Sequence, residues 1–390
     1  MLAGAGERRF VKLTFFVHSA ASDWNHGNAH FVRGLMDALV RRGHGAQSWE
    51  ARGAWSLENL LRDEGIEPVV RFARAYPRLD ARTYRLSEDR LRADLERAVA
   101  GSDVVVVHEW TEREVVQRLV ELASRDRFVF LFHDTHHRAV SMPHAIRRLP
   151  LQRFHGVLAF GRSLAALYRE EFGVARAWTF HEAADVHRFR PLRRVKEHDV
   201  VWIGNWGDGE RTAELRDYLL GSARALPDLG FVTHGVRYPD EALREMADAG
   251  IEHRGWVSSL DVPEVLARSR AALHVPRRVY RRALPGIPTI RVFEALACGV
   301  PLVCSPWDDT EGLFARGDLA VAATPTEMAN MLRCLAMDDE RASRQAERGL
   351  RTIYARHTCD HRALELTDIV ECVGRHGSDV RPPREESVCA

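Results

Sequence analysis

The sequence predicts two doubly wound α/β domains in tandem, and three observations carry that prediction. The 390 residues outrun one comfortable core, given roughly 100–200 residues per domain. Short, fully apolar runs alternate with amphipathic stretches, which is how a parallel sheet covered on both faces reads. The alternation stops at the Pro-containing, charge-dense segment Arg188–Asp199 and then restarts.

Val11–His18 is apolar and rich in β-branched and aromatic residues, a buried strand. A loop rich in Gly, Asn and His follows, Ser19–Asn28. His30–Arg41 sets Phe31, Leu35 and Leu39 at helical spacing and stops at Gly43, a C-cap. Val104–Val107, Phe128–Phe132 and Val157–Phe160 read as further strands, with amphipathic Glu112–Ala123 and Ser163–Phe172 between them. Past the linker, Asp199–Ile203 is a strand, Gly204–Gly209 a glycine loop and Glu210–Leu220 a helix. Gly230–Thr233, Ala271–Val275 and Val300–Cys304 are strands, and the helix Arg291–Ala297 precedes the last. Thr326–Ile353 reads as helical throughout, His357–Val373 as a final helix, and Gly374–Ala390 as a disordered polar tail. Two such sheets predict a cleft between them, with ligands outside the carboxyl ends of the strands.

Composition narrows the function classes. Hydrophobic content of 45% and charged content of 28% are those of an ordinary globular protein. A net charge of +1 implies no general attraction to nucleic acid or anionic membrane. No run approaches the ~20 apolar residues that span a bilayer, and Met1–Arg9 has no apolar core of a signal peptide. The cytoplasm is the expected compartment. The cysteines, Cys298, Cys304, Cys334, Cys359, Cys372 and Cys389, form no C-x-x-C pair, so reduced thiols are expected over a disulfide framework or zinc site. Only Lys12 and Lys196 are lysines, so a phosphate clamp here would be built from Arg.

The strongest motif is T-I-R-V-F-E-A-L-A-C-G-V-P-L-V, Thr289–Val303. It reads as a helix N-capped by Thr289 and stopped at Gly299, then a buried strand. Its N-terminus, around Thr289 and Ile290, offers free N–H groups to a phosphate. Glu294 can accept two ribose hydroxyls, or it can face solvent on an ordinary αβ unit. Ala272–Arg278 ends a strand with Arg277 and Arg278, either able to meet a diphosphate; a solvated loop is the alternative. Two further loops follow strands: His108-Glu109-Trp110, and His133-Asp134-Thr135-His136-His137. His108 with Glu109 and His133 with Asp134 are candidate catalytic pairs, an imidazole oriented by a carboxylate, weighed against hydrogen bonding within polar loops. The spacing of the second loop fits no zinc pattern. Asp308 and Asp309 read as an N-cap. His18, at the end of the first strand, and Glu182, before the linker, are acceptor-side candidates.

E-A-L-A-C-G-V-P-L-V resembles the nucleotide-sugar-binding segment of GT-B glycosyltransferases, especially the group 1 (GT4-like) enzymes. With the preceding P-T-I-R-V-F, Pro288–Phe293, it resembles the CgeB-like (spore maturation) branch. The resemblance implies Glu294 as ribose ligand and Arg291 as diphosphate contact. These families usually place a second Glu eight positions earlier; here that position is Gly286, so its role would pass to backbone N–H groups of the Gly286 loop. F-F-V-H-S-A with G-N-A-H-F-V-R-G-L resembles the first strand, glycine loop and helix of the N-terminal domain, where Gly27 allows close approach and Asn28 starts the helix. W-I-G-N-W-G-D-G-E-R resembles the loop that carries a phosphate-binding cation: Arg211 is that cation, and Gly204 and Asn205 shape the loop. H-R-G-W-V-S resembles the element beside the nucleotide base, implying a Val257 backbone contact and Trp256 as a stacking wall, with core packing the alternative for Trp256. E-A-A-D-V-H-R-F-R-P, Glu182–Pro191, resembles the segment entering the hinge.

The resemblance implies an acceptor-facing domain over residues 1–190, a donor domain over 191–356 and a last helix, 357–373, crossing back, before the tail 374–390. The activity it implies is transfer of a sugar from a nucleoside diphosphate sugar, UDP before GDP, to a hydroxyl acceptor. No cofactor and no metal are expected. The acceptor can be a glycan, lipid-linked or small-molecule hydroxyl. Alternatives on the same fold are a sugar-nucleotide epimerase and a non-catalytic sugar-nucleotide or glycan-binding protein. A pyridoxal-phosphate phosphorylase needs a Schiff-base lysine, and Lys12 and Lys196 sit at a strand start and in the linker.

Overall fold

Valine-rich β4 illustrates how the sheets form: V-V-V-V-H is buried along its whole length, which requires a partner strand on each side and cover on both faces. The computed structural model describes residues 10–125, 128–207 and 209–376; of the expected tail 374–390, residues 374–376 extend the final helix and the rest lies outside the described residues. The first sheet has β1 (Lys12–Phe16), β2 (Gly45–Ala51), β3 (Asp80–Tyr84), β4 (Val104–His108), β5 (Val129–Asp134), β6 (Gly156–Ala159) and β7 (Ala177–Thr179). Their order is β3-β2-β1-β4-β5-β6-β7, parallel throughout. The second sheet has β8 (His198–Ile203), β9 (Phe231–His234), β10 (Ile251–His253), β11 (Ser269–His274), β12 (Leu302–Cys304) and β13 (Ala320–Val321). Its order is β10-β9-β8-β11-β12-β13, also parallel throughout. The doubly wound class expected from the alternation is the one observed. Winding reverses between β1 and β4 and between β8 and β11, and such switch points open crevices at the carboxyl ends of strands.

One apolar cluster runs through both sheets: Leu13, Phe15 and Val106 join Val201, Ala272 and Phe293 in it. The final helix, Cys359–His376, packs on the helix Ala29–Arg41, with Cys359 Sγ 3.9 Å from the Phe31 carbonyl oxygen and 3.8 Å from that of Ala183. Among the described residues the five cysteines are free thiols. No helix of the described residues is long and apolar enough to cross a membrane.

Local differences from expectation have physical causes. The run Thr326–Ile353 is two helices, Pro325–Met337 and Asp339–Arg356. Asp338 leaves the helical conformation and caps the second by accepting from the Arg341 N–H at 2.8 Å. Glu210–Leu220 is α-helical only over Gly209–Leu215 and widens to a π-turn, Arg216–Leu220. Thr289 and Asn28 occupy N-cap positions, but neither side chain caps. Thr289 Oγ1 lies 3.1 Å from His274 Nε2, and Asn28 donates to the Thr135 carbonyl and hydroxyl oxygens. Asp309 caps a turn where a helix was expected, accepting from Leu313 and Phe314 N–H.

Candidate active site

Loops leaving the carboxyl ends of β1, β5, β8, β9, β10 and β11 meet around a cleft of about 180 Å³. The first sheet contributes Asp23, Asn25, His26 and Gly27 after β1, and His136 after β5. The second contributes Gly204, Asn205 and Arg211, then Gly235, Trp256 and Val257, then His274, Arg277 and Tyr280, and finally Thr289, Ile290 and Arg291. The cleft thus gathers Gly27, Gly204, Asn205, Arg211, Trp256, Val257, Arg277, Thr289, Ile290 and Arg291 from the sequence-derived candidates.

The two walls touch through polar contacts. Asn205 Nδ2 donates to Asn25 Oδ1 at 2.6 Å. Asp23 accepts from Ser259 N–H at 2.9 Å and from its hydroxyl at 2.6 Å. Behind Gly204 stands Gly235, where a Cβ would lie 1.8 Å from the Gly204 carbonyl oxygen, so only glycine fits. Gly27 faces Ile290 and Arg291 across the gap, with room for an ordinary Cβ contact at 3.5 Å.

The cleft carries three guanidiniums and one carboxylate, Asp23, which lies 3.1 Å from Arg33. Burial, with Arg277 nearby, brings Arg211 down to about 10, which leaves it protonated at neutral pH. Arg277 lines the cleft, while Arg278 turns to Glu214, 3.2 Å away. The imidazoles are neutral. Burial, reinforced by Arg211 and Arg291, brings His274 down to about 3, and burial first of all holds His26 and His136 well below the usual histidine range. Trp256 is half-buried in the wall and its indole Nε1 has no hydrogen-bond partner.

Glu294 departs from expectation. Its carboxylate is 1% exposed and lies behind the cleft wall, lining a 20 Å³ void that shares Ile203, His274 and Arg291 with the cleft. Arg291 Nη1 donates to it at 2.5 Å, and His30 Nδ1 sits 2.9 Å from its other oxygen. Burial raises its pKa, but Arg291 and His30 outweigh burial and hold it below the usual range. Glu182 is buried nearby, and burial followed by Glu294 pushes it well above the carboxylate range, against the pull of Arg291. It does not line the cleft. Gly286 does not reach the cleft either. It has φ of +85°, and a Cβ there would meet Thr310 and Glu311.

The catalytic candidates His108, Glu109, His133 and Asp134 form a buried layer beneath the cleft and do not line it. Successive strand residues face opposite sides of a sheet, and both sides here are covered. His133 packs against Phe31 and Phe180, whereas Asp134 accepts from the Tyr168 hydroxyl at 2.5 Å and from His136 N–H at 2.9 Å. His108 Nε2 lies 3.0 Å from both Thr135 Oγ1 and Glu109 Oε2. Burial brings His133 to about 3, raises Asp134 to about 6 and, with Asp134, raises Glu109 well above its ordinary value. These groups tie the β4 and β5 loops together. His18 stands one ring behind the wall, its centroid 5.2 Å from His26.

The cleft residues that sequence reasoning missed include Asp23, Asn25, His26, His136, Gly235, His274 and Tyr280. His274 and Tyr280 flank the Arg277 candidate, and His26 precedes Gly27, so proximity in sequence to a named loop was the available signal.

Residues 211–368 match the family model described as glycosyl transferase-like. Comparison with curated proteins gives no match. Among solved structures, HepE of Anabaena in complex with UDP and glucose is similar with a TM-score of 0.67 at 13% identity, over 93% of this chain and 99% of its own. An alpha-glucosyltransferase in complex with UDP and a 13-mer DNA is similar with a TM-score of 0.67 at 11% identity, over 93% and 100%. Sucrose-phosphate synthase of Thermosynechococcus elongatus is similar with a TM-score of 0.64 at 15% identity, over 94% and 100%. Two parallel-sheet α/β domains closing on one cleft, the second carrying a glycosyl transferase-like domain, make this a GT-B fold.

Proposed function

We propose that this protein is a glycosyltransferase that moves a sugar from a UDP-sugar to a hydroxyl acceptor without a metal ion. The observation that carries the reading is the convergence of Arg211, from the β8–β9 connection, with Arg277 and Arg291, from the β11–β12 connection, on one cleft whose imidazoles are neutral. Guanidinium forks suit a diphosphate, and the N-terminus of the helix Ile290–Ala297 adds free N–H groups beside them. The glycosyl transferase-like match and the UDP named in the structures of HepE and the alpha-glucosyltransferase support this choice. In the reaction the anomeric C–O bond to the diphosphate breaks, a bond to the acceptor oxygen forms, and the acceptor proton and UDP depart. The arginines meet charge growing on the leaving oxygen. Trp256 and the Val257 backbone flank the base. Glu294 takes the ribose hydroxyls once a diphosphate has drawn Arg291 away from it. His26 and His136 hold the acceptor side of the cleft as neutral hydrogen-bonding groups. The Pro288–Gly299 motif further supports a CgeB-like transferase of polysaccharide assembly.

A thermal-shift screen of UDP, GDP, ADP and their sugars tests the donor, since a ligand of the folded state raises apparent stability by mass action. UDP and one UDP-sugar should raise Tm, and Glu294→Gln should reduce that shift. A GDP-only response would overturn the base assignment. Incubation with the donor alone separates the rivals: an epimerised sugar nucleotide identifies an epimerase. Donor binding with neither hydrolysis nor transfer identifies a binding protein.

A further inference from the structure

Beside the cleft, three loops present aromatic rings at the carboxyl edge of neighbouring strands. Trp55 follows β2, His18 follows β1 and Trp110 follows β4, and these strands are adjacent in the order β2-β1-β4. Both tryptophans are exposed, 46% and 38%. Exposed tryptophan at a ligand-bearing edge calls for an explanation, because large apolar groups otherwise withdraw from water. The His18 ring centroid lies 6.4 Å from that of Trp55 and 6.2 Å from that of Trp110, with ring planes inclined by 41° and 51°, so the three rings adjoin as one faceted aromatic shelf. His26 links the shelf to the cleft: its ring is 5.2 Å from His18, and it lines the cleft wall. The Arg138 guanidinium stacks on Trp110 at 4.1 Å, and Arg237 reaches over Trp55 at 5.9 Å from the second domain. Arg237 does so with φ of +63°, a conformation that a non-glycine residue adopts only when its surroundings hold it there.

We propose that this shelf binds the acceptor and that the acceptor is an oligosaccharide; the proposal rests on the transferase reading above and specifies its second substrate. A pyranose has an apolar C–H face and a rim of hydroxyls. The indoles offer flat apolar surface to the face, and the imidazole and guanidinium groups between and around them offer hydrogen bonds to the rim. Trp55 and Trp110 stand two strands apart, roughly 10 Å at the ordinary strand spacing, which is the span of two to three sugar rings. A terminal hydroxyl of a chain lying on the shelf reaches the cleft past His26. A wholly apolar acceptor would leave the imidazole and guanidinium rim unsatisfied.

Intrinsic tryptophan fluorescence of the full chain, titrated with maltotriose, cellotriose, chitotriose and a flavonoid, with and without UDP, tests the proposal. At least one trisaccharide should give a saturable change. Trp55→Ala and Trp110→Ala should each weaken it about tenfold while UDP affinity stays within twofold. In a transfer assay the same variants should raise acceptor KM more than they lower kcat. Wild-type protein that binds UDP but no trisaccharide overturns the shelf, as does equal trisaccharide affinity in wild type and both variants, or a response to the flavonoid alone. Trisaccharide binding that depends on the two tryptophans, in protein blind to UDP, keeps the shelf and overturns the donor reading instead. Both side chains are exposed, so the variants should fold, and an unchanged circular dichroism melt checks it.

Discussion

Arg291 serves two partners, because its guanidinium holds Glu294 and also forms part of the cleft wall. If a diphosphate recruits it, Arg291→Ala should weaken UDP binding about 10- to 100-fold, from charge-assisted bonds worth ~1.5–3 kcal/mol. Arg291→Lys should recover only part, since an ammonium cannot fork. Isothermal titration reads both, and unchanged UDP affinity in Arg291→Ala would confine the residue to holding Glu294. A second residue-scale prediction concerns His133. Burial brings it to about 3 in the fold, whereas the unfolded chain titrates near ~6.5. Its folded pKa is depressed, so the unfolded state binds more protons below pH ~6.5. The stabilisation is therefore complete above that pH and is lost as pH falls toward about 3. His133→Leu should flatten urea-measured stability against pH by ~1.4 kcal/mol per pH unit between pH 6 and 4; an unaltered slope would mean that another group takes up that proton. Sequence reasoning singled out His133 and Asp134 because they end a strand, but a strand's end in the sequence does not show whether its last side chains reach the cleft or stop beneath its lining, as these do. Arg211, Arg277 and Arg291 were legible as cleft-lining residues because each stands within or beside a motif.

Among the elements, the strands that were legible are those whose residues are apolar throughout, such as β4 and β5. β2 and β3 were not, because G-A-Q-S-W-E-A and D-A-R-T-Y lack the usual strand composition. β2 buries polar side chains by giving each a partner: Gln47 donates to Thr14 Oγ1 at 2.7 Å, and Glu50 accepts from Ala20 N–H at 2.5 Å. β3 is a solvent-facing edge strand, exposed at four of five positions. No periodicity in either segment announces a strand. The loops after β8 and β9 show an element-level constraint that the sequence displays only as a glycine. Gly235 backs onto Gly204, whose carbonyl oxygen also accepts from the Tyr238 hydroxyl at 2.8 Å. Gly235→Ala must push the β8 loop forward and strain that bond. A loss of ~1–3 kcal/mol is expected, the range for forcing volume into a packed site, together with weaker UDP binding because the moved loop carries Asn205 toward Asn25. Urea unfolding and titration with UDP measure the two effects; a variant as stable as wild type would mean that the two loops separate freely.

At the scale of the whole molecule, entry of the proposed donor competes with the contacts that join the two walls of the cleft. Ties between the domains hold the closed form. Arg71 forks onto Asp261 at 2.8 and 2.5 Å, and Glu311 accepts from Arg162 N–H at 2.7 Å while lying 2.9 Å from His181 Nε2. They differ in weight. The Arg71 pair is about two-fifths exposed on each side, so screening limits it to ~0–1 kcal/mol. The Glu311 carboxylate is 3% exposed and the His181 imidazole 13%, and removing the carboxylate takes the partner from that imidazole and from the Arg162 N–H together, which costs more. Glu311→Ala should accordingly shift the free protein toward the open form far more than Arg71→Ala. In solution scattering, the radius of gyration of Glu311→Ala without ligand should exceed that of wild type, and saturating UDP should bring the two together. Stopped-flow binding should show a faster UDP on-rate in the variant, because closure no longer limits entry. Donor hydrolysis should rise relative to transfer, because a cleft that closes poorly admits water. Glu311→Ala with wild-type dimensions and wild-type UDP kinetics would mean that these contacts do not set the domain equilibrium, and that donor entry proceeds by loop motion within a fixed pair of domains.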